Sequence, residues 1–263
     1  IKFVILWYQT YYFDKKKLVK TYKKTNKFFW EFDMKVVILA GGLGTRLSEY
    51  TKLMPKPMVT VGGKPIIYHI MKHYYNYGFD DFIIAAGYKQ KIIKDFFKKK
   101  KFKWKIKVID TGKNTMTGGR IKRLKNLLKD DDFLVTYGDG ISNVNIKKLI
   151  NFHKKNKKIV TLTAVRPPAR FGSIKISSKF VKYFKEKSSI DEGWINGGFF
   201  VMNSKIFNYI KSDTTYLERK PFEELSKNKQ LLGYKHKGKW YCMDTKRDRD
   251  NINNLFKFKK IKF

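Results

Sequence analysis

Several things are scarce in this sequence, and each shortage narrows what the chain can be. It holds one cysteine, Cys242, so no disulfide can close within it, and a reducing compartment fits. No apolar run reaches the ~18 residues that a membrane-spanning helix needs. The nearest, Ile1 to Phe13, is short, carries Lys2, Gln9 and Thr10, and runs into Lys15-Lys16-Lys17. No small-residue cleavage site follows it, so no secretory signal and no membrane span are expected, and the expected location is cytoplasmic. The histidines, His69, His73, His153 and His236, show no ligand spacing with cysteine or carboxylate, which leaves them packing or surface roles. No internal repeat, no long linker and no nucleophile–base–acid triad is visible.

Acidic residues are scarce too: 22 Asp and Glu stand against 59 Lys and Arg, a formal charge of +37. Such a surface attracts polyanions. The excess is nearly all lysine, however, and Ile, Asn, Phe and Tyr are abundant, as an AT-rich genome produces. Lysines spread through every segment make a solvated surface more readily than a shaped groove. No aromatic–basic nucleic-acid motif appears, so no specific nucleic-acid partner is expected. With 42% hydrophobic and 16% aromatic residues, the 263-residue chain can bury a substantial core.

Three stretches differ in texture. The chain starts with Ile, and Met34 stands immediately before a strong strand-and-turn signal, so residues 1–33 read as an extension upstream of the main fold, with no assigned role. Residues 34–256 alternate between strand and helix patterns, and residues 257–263 form a basic tail. Lys35-Val36-Val37-Ile38-Leu39-Ala40 is a nearly unbroken apolar run, as expected of a strand buried on both faces. The pattern then predicts a helix over 64–77, opened by Pro65 and closed by Gly78. It continues with a strand over 82–86, a helix over 89–97, a strand over 105–109, a helix over 119–128, a strand over 133–137 and a helix over 145–153. This spacing argues for βαβ units and a parallel sheet. After Val160 short β segments take over, at 160–165, 172–176, 180–184 and 194–202.

The first chemical constellation is Leu39-Ala40-Gly41-Gly42-Leu43-Gly44-Thr45-Arg46, directly after the first strand. Parallel sheets bind ligands beyond the carboxyl ends of their strands, where this loop emerges. Its glycines let backbone N–H groups approach a phosphate or a base edge, and Arg46 adds a permanently charged fork. The spacing is neither the dinucleotide fingerprint nor a P-loop. By itself, a glycine turn after a strand is more often structural. Ten positions beyond Arg46, Pro55-Lys56-Pro57-Met58 presents a lysine on a stiffened segment. In so lysine-rich a chain, a surface lysine is the plain alternative. Asp139 sits between two glycines at the end of a buried-looking strand, where it is either a turn residue or a metal ligand. Asp244 is either a ligand or a helix N-cap before Arg247.

Taken together, the strand, the glycine loop, the Pro55-to-Met58 segment and Gly62-Gly63-Lys64-Pro65-Ile66 resemble the signature of sugar-phosphate nucleotidyltransferases. Further matches narrow the resemblance to the glucose-1-phosphate cytidylyltransferases: Asp110-Thr111-Gly112, Met116-Thr117-Gly118-Gly119-Arg120, Thr136-Tyr137-Gly138-Asp139-Gly140, Arg170-Phe171-Gly172, Glu186-Lys187, Ile195-Asn196-Gly197-Gly198-Phe199-Phe200 and Met243-Asp244-Thr245. They run from Met34 to about Leu255. The resemblance implies an α/β fold with a Rossmann-like, mixed, mostly parallel sheet flanked by helices, and a β-rich C-terminal half forming the sugar side. It implies transfer of a cytidylyl group from CTP to glucose 1-phosphate with Mg²⁺, releasing diphosphate. By the same correspondence, Leu39 through Thr45 hold the nucleotide and Arg46 and Lys56 contact its phosphates. Thr115, Gly119, Arg120 and Gly138 fall at nucleotide positions, and Asp139 and Asp244 at the metal-binding pair. Arg46, Lys56 and Asp139 are thus the expected catalytic residues, and Gly172, Glu186, Lys187, Asn196 and Gly197 the expected sugar-phosphate contacts.

The chain departs from that pattern between Phe97 and Asp110, where relatives carry a longer excursion used in subunit contacts and in closing over the site. Homo-oligomerisation is therefore an open expectation. Ser188 also stands where relatives have a proline after the Glu-Lys pair. Two rival functions remain at this level: a uridylyl- or thymidylyltransferase, against which the 117–120 segment argues, and a catalytically silent polyanion binder, against which the retained Arg46, Lys56, Asp139 and Asp244 argue.

Overall fold

Val36–Ala40 (β1) is apolar on both faces and buried along its whole length, which places it at the centre of a sheet. The computed structural model describes residues 34–100, 102–128, 132–167, 173–185 and 193–258, all within a compact unit that Met34 opens. Asp81–Ala86 (β4) and Phe133–Tyr137 (β6) flank β1, both parallel to it, and Lys105–Asp110 (β5) extends the sheet in parallel beyond β4. On the other side, Ile195–Met202 (β11) runs antiparallel to β6 and to Val160–Val165 (β8), and Leu231–His236 (β12) lies parallel to β8 at the far edge. The order is β12-β8-β11-β6-β1-β4-β5. Six strands thus point one way and β11 points back. This is the mixed, mostly parallel sheet that the resemblance implied.

The reversal of β11 positions the site. Its first residues lie at the edge where the other strands end, so Asn196 and Gly197 stand at the same edge as the loops that follow β1, β4, β5 and β6. A short antiparallel pair adds to this edge: Gly140–Ser142 (β7) pairs with Trp240–Cys242 (β13), Cys242 opposite Gly140. The Met243 amide then donates to the Asp139 carbonyl at 2.9 Å, which carries Asp244 alongside Asp139. Ser173–Ser177 (β9) and Phe180–Lys185 (β10) form a separate hairpin.

Helices cover both faces. The predicted 64–77 helix spans Ile66–Asn76 (α2), because Lys64–Pro65 (β3) pairs with Thr60–Val61 (β2) in a small hairpin before it. Its buried stripe, Ile66, Ile67, Ile70, Met71 and Tyr74, follows the helical period. Gln90–Lys99 (α3), Ile146–Asn156 (α6), Lys220–Lys227 (α7) and Lys246–Lys257 (α8) complete the longer helices. The single helix expected over 119–128 is two, Thr117–Arg123 (α4) and Lys125–Leu128 (α5), broken at Leu124. Ser48–Thr51 (α1) is a single turn after the glycine loop. Tyr74, Phe82, Phe133, Phe199 and Phe200 fill the interior, each worth about 1.5–3 kcal/mol of burial. The shortened 98–109 region leads straight into β5, with Phe102 stacked on Trp104 at 4.9 Å against Tyr68. Lys105 and Lys107 stay exposed on this edge strand, which discourages further pairing. Among the described residues no helix is long and apolar enough to cross a membrane.

Candidate active site

A cleft of 340 Å³ opens at the carboxyl edge of the sheet, bounded by the loop after β1, by Lys56 and Pro57, by Thr115 to Thr117, and by Tyr137 to Asp139. At its floor three charged residues from distant parts of the chain converge. The Lys56 Nζ lies 2.6 Å from Asp139 Oδ2 and 2.6 Å from Asp244 Oδ1. Arg46 Nη1 meets the other oxygen of Asp244 at 2.9 Å. The side chains differ in freedom: that of Lys56 is 11% exposed and that of Arg46 is 74% exposed. Lys56 is therefore not the surface lysine that composition allowed. Burial acts to lower its pKa, but the two carboxylates outweigh burial and the net shift is upward, so the ammonium stays charged.

Asp244 is equally not a cap. Thr245 is the N-cap of α8, accepting from the Asp248 amide at 3.2 Å, while Asp248 Oδ2 accepts from the Thr245 amide at 2.9 Å. This capping box leaves the Asp244 carboxylate to Lys56 and Arg46, which border the cleft. Asp139, Cys242 and Asp244 bring one donor atom each within 4.8 Å of one another. The two carboxylates are hard oxygen donors, and the Lys56 ammonium seated between them is a stand-in for a cation, so the pair fits a hard divalent ion. Cys242 is a poor third donor, because burial and the neighbouring Asp139 and Asp244 raise its thiol pKa and keep it protonated.

The glycine loop is held from beneath by Arg120, a buried guanidinium. Its Nη2 donates to the Gly41 carbonyl at 2.9 Å; its Nη1 donates to Thr111 Oγ1 at 2.8 Å and to the Gly112 carbonyl at 2.7 Å. A Cβ at position 41 would lie 2.0 Å from that Nη1, so only glycine admits the brace. Arg120 borders the cleft, yet the donors of its Nη1 and Nη2 are spent on the loops that follow β1 and β5. Its contribution from this position is to shape the loop.

Chain segments matching the description "Nucleotidyl transferase" cover residues 35–253. The chain belongs to the nucleotidyl transferase family. Among its relatives, the glucose-1-phosphate cytidylyltransferase of Salmonella typhi is 45% identical over 246 residues, covering 85% of this chain and 96% of the relative. The mannose-1-phosphate guanyltransferase of Saccharomyces cerevisiae is 30% identical over 230 residues, covering 84% of this chain and 63% of that one. In structure, HddC from Yersinia pseudotuberculosis complexed with GMP-PN superposes with a TM-score of 0.67 at 28% identity, covering 85% of this chain and 99% of that one.

Within this nucleotidyl transferase, Leu39, Ala40, Gly41, Gly42, Gly44, Thr45, Arg46, Lys56, Thr115, Arg120, Gly138 and Asp139 all border the cleft. Leu43 is 45% exposed and does not border it. Gly119 is buried, and a Cβ there would lie 2.3 Å from the Asp213 carbonyl oxygen, so it serves the contact between α4 and the 213–215 segment. Asn196 donates to the Tyr137 hydroxyl at 3.1 Å, and the Gly197 carbonyl accepts the Trp240 indole N–H at 2.8 Å. Gly172, Glu186 and Lys187 lie outside the described residues. The histidines have the packing roles expected: His69 contacts the Val61 carbonyl, His73 the Val144 carbonyl, His153 the Thr161 hydroxyl and His236 the Asn143 side chain. Sequence reasoning missed Tyr216 and Tyr137 as cleft residues. Tyr137 carried a signal, its place directly before Gly138-Asp139, whereas Tyr216 lies on an irregular segment with none.

Proposed function

We propose that the protein transfers CMP from CTP to α-D-glucose 1-phosphate, giving CDP-glucose and diphosphate. The observation that carries this reading is the convergence of Lys56, Asp139 and Asp244 beneath the glycine loop, in a chain 45% identical to a glucose-1-phosphate cytidylyltransferase. The loop from Leu39 to Thr45 offers backbone N–H groups to the nucleotide, and Thr115 and Gly138 border the same cleft. Arg46, exposed and held by one partner, is free to turn from Asp244 to the triphosphate. Lys56 is fixed, so its charge is in place before the substrates arrive, and such preorganisation costs nothing at the moment of reaction.

An oxygen of the sugar phosphate attacks the α-phosphorus of CTP. The new P–O bond forms as the bond to the β-phosphate breaks, and diphosphate leaves with that electron pair. The nucleophile is already ionised, so no general base is required, and the residues act by alignment and charge stabilisation. Asp139 and Asp244 would hold Mg²⁺, which supplies charge neutralisation at the phosphate oxygens. Gly172, Glu186, Lys187, Asn196 and Gly197 take the sugar phosphate in this reading, and residues 34–256 form the catalytic domain.

Phosphorus-31 NMR of CTP, glucose 1-phosphate and Mg²⁺ with the protein is expected to show CDP-glucose and diphosphate appearing together. Asp139→Ala is expected to lower the rate at least ~10²-fold, as loss of a preorganised charge does. Product formation at the wild-type rate by Asp139→Ala would remove Asp139 from the site, and no product from the wild type would end the reading.

A further inference from the structure

The segment that brings Tyr216 to the cleft carries a carboxylate that transfer as described does not use. Glu218 Oε1 accepts from the Tyr137 hydroxyl at 2.6 Å, and Glu218 Oε2 accepts from the Thr117 hydroxyl at 2.6 Å. Each of the two hydroxyls also accepts a bond of its own. Thr117 Oγ1 accepts the Leu217 amide at 2.9 Å, and the Tyr137 oxygen accepts Asn196 Nδ2–H at 3.1 Å. Glu218 thus bridges the two hydroxyls, accepting from one at each of its oxygens. Burial raises the Tyr137 phenol pKa and the adjacent Glu218 charge raises it further, so that proton stays on the phenol.

The three partners sit on three elements. Tyr137 ends β6 directly before Gly138-Asp139, Thr117 opens α4, and Asn196 lies at the start of β11. The glycine loop has its own brace in Arg120. Tyr137, which borders the cleft, and Asn196 bonded to it are instead tied to α4 through Glu218. Tyr216, two residues earlier, faces the cleft with the Arg219 guanidinium 4.3 Å from its ring centre, so the whole segment is anchored where a substrate would lie.

We propose that Glu218 is a positioning residue of the transferase, holding Tyr137 and through it Asn196 where the sugar phosphate is aligned against a nucleotide bound beside Asp139. This rests on the transferase reading above. Glu218→Gln keeps the size but accepts at one oxygen only and carries no charge, so one of the two hydroxyls loses the acceptor for its proton. The expected result is a KM for glucose 1-phosphate raised ~10-fold, the equivalent of one charge-assisted hydrogen bond, with the KM for CTP changed less than about twofold. Tyr137→Phe, which removes one arm alone, should reproduce the rise and carries the test if Glu218→Gln does not fold. Glu218→Asp, charged but one methylene shorter, should recover part of the loss.

Steady-state kinetics in both substrates, with thermal midpoints measured alongside, separate this from a merely structural part. Unchanged KM for glucose 1-phosphate in both variants, or equal rises in both KM values accompanied by a lowered midpoint, would overturn the assignment. Absence of product from the wild type would instead overturn the transferase reading and this one with it.

Discussion

Lys56 is the residue on which the site's charge balance turns. Its ammonium is nearly enclosed and is shared by Asp139 and Asp244, so its removal leaves Asp139 without its cation and Asp244 with the exposed Arg46 alone. Lys56→Met should lower kcat by ~10²–10³-fold, in the range for a lost preorganised donor. It should also lower the thermal midpoint in EDTA and make the rise on adding Mg²⁺ larger than in the wild type, because the ion then supplies the missing positive charge. An Mg²⁺-induced shift no larger than in the wild type would contradict the arrangement. The pH dependence follows from the direction of the pKa shift. The folded pKa lies above 10.5, so the ion pairs' contribution is fully present below that value and is lost only as pH rises through the folded one. At this scale the sequence marked Lys56, Asp139 and Asp244, but only against plain alternatives. Ruling those out took the pairing of β13 with β7 and the capping box at Thr245, contacts that no local pattern encodes.

Among the elements, α4 is the most constrained. Its N-terminal turn is stitched to the 213–215 segment by the Met116 amide on the Asp213 carbonyl at 2.8 Å and the Gly118 amide on the Thr215 carbonyl at 3.0 Å. Gly119 lets those backbones close together. Gly119→Ala should cost about 1–3 kcal/mol in denaturant unfolding, the usual penalty of overpacking a rigid contact. A cost near zero would mean that the 213–215 backbone gives way easily. The alternation of strand and helix was legible because each buried strand of the parallel half is a short apolar run bounded by turns. The break at Leu124 and the reversal of β11 were not. Strand direction is set by partners far along the chain, and Phe199 finds Thr136 only in the folded sheet. Arg120 shows the same limit: its motif position was visible, whereas its use as a brace beneath Gly41 depends on contacts from α4 to two loops.

Across the molecule, acid sensitivity is built into the packing. Burial lowers the His73 pKa from 6.5 to about 4, and burial also lowers those of His69 and His236. These groups take up protons more readily when unfolded, so stability falls as pH drops below about 6.5, and for His73 the fall continues toward about 4 at up to about 1.4 kcal/mol per pH unit. Urea midpoints measured from pH 7 to 4.5 should decline, and His73→Gln should make the decline shallower without abolishing it; an unchanged slope would contradict the burial assigned to His73. The +37 charge that first suggested polyanions sits on a nucleotidyl transferase, and it serves equally to draw in small phosphates. The central claim is the choice of nucleotide. It is tested most directly by diphosphate release with glucose 1-phosphate and Mg²⁺, offering CTP, UTP, dTTP, ATP and GTP in turn. The account predicts release with CTP alone, and release favouring any other nucleotide, or none at all, would contradict it.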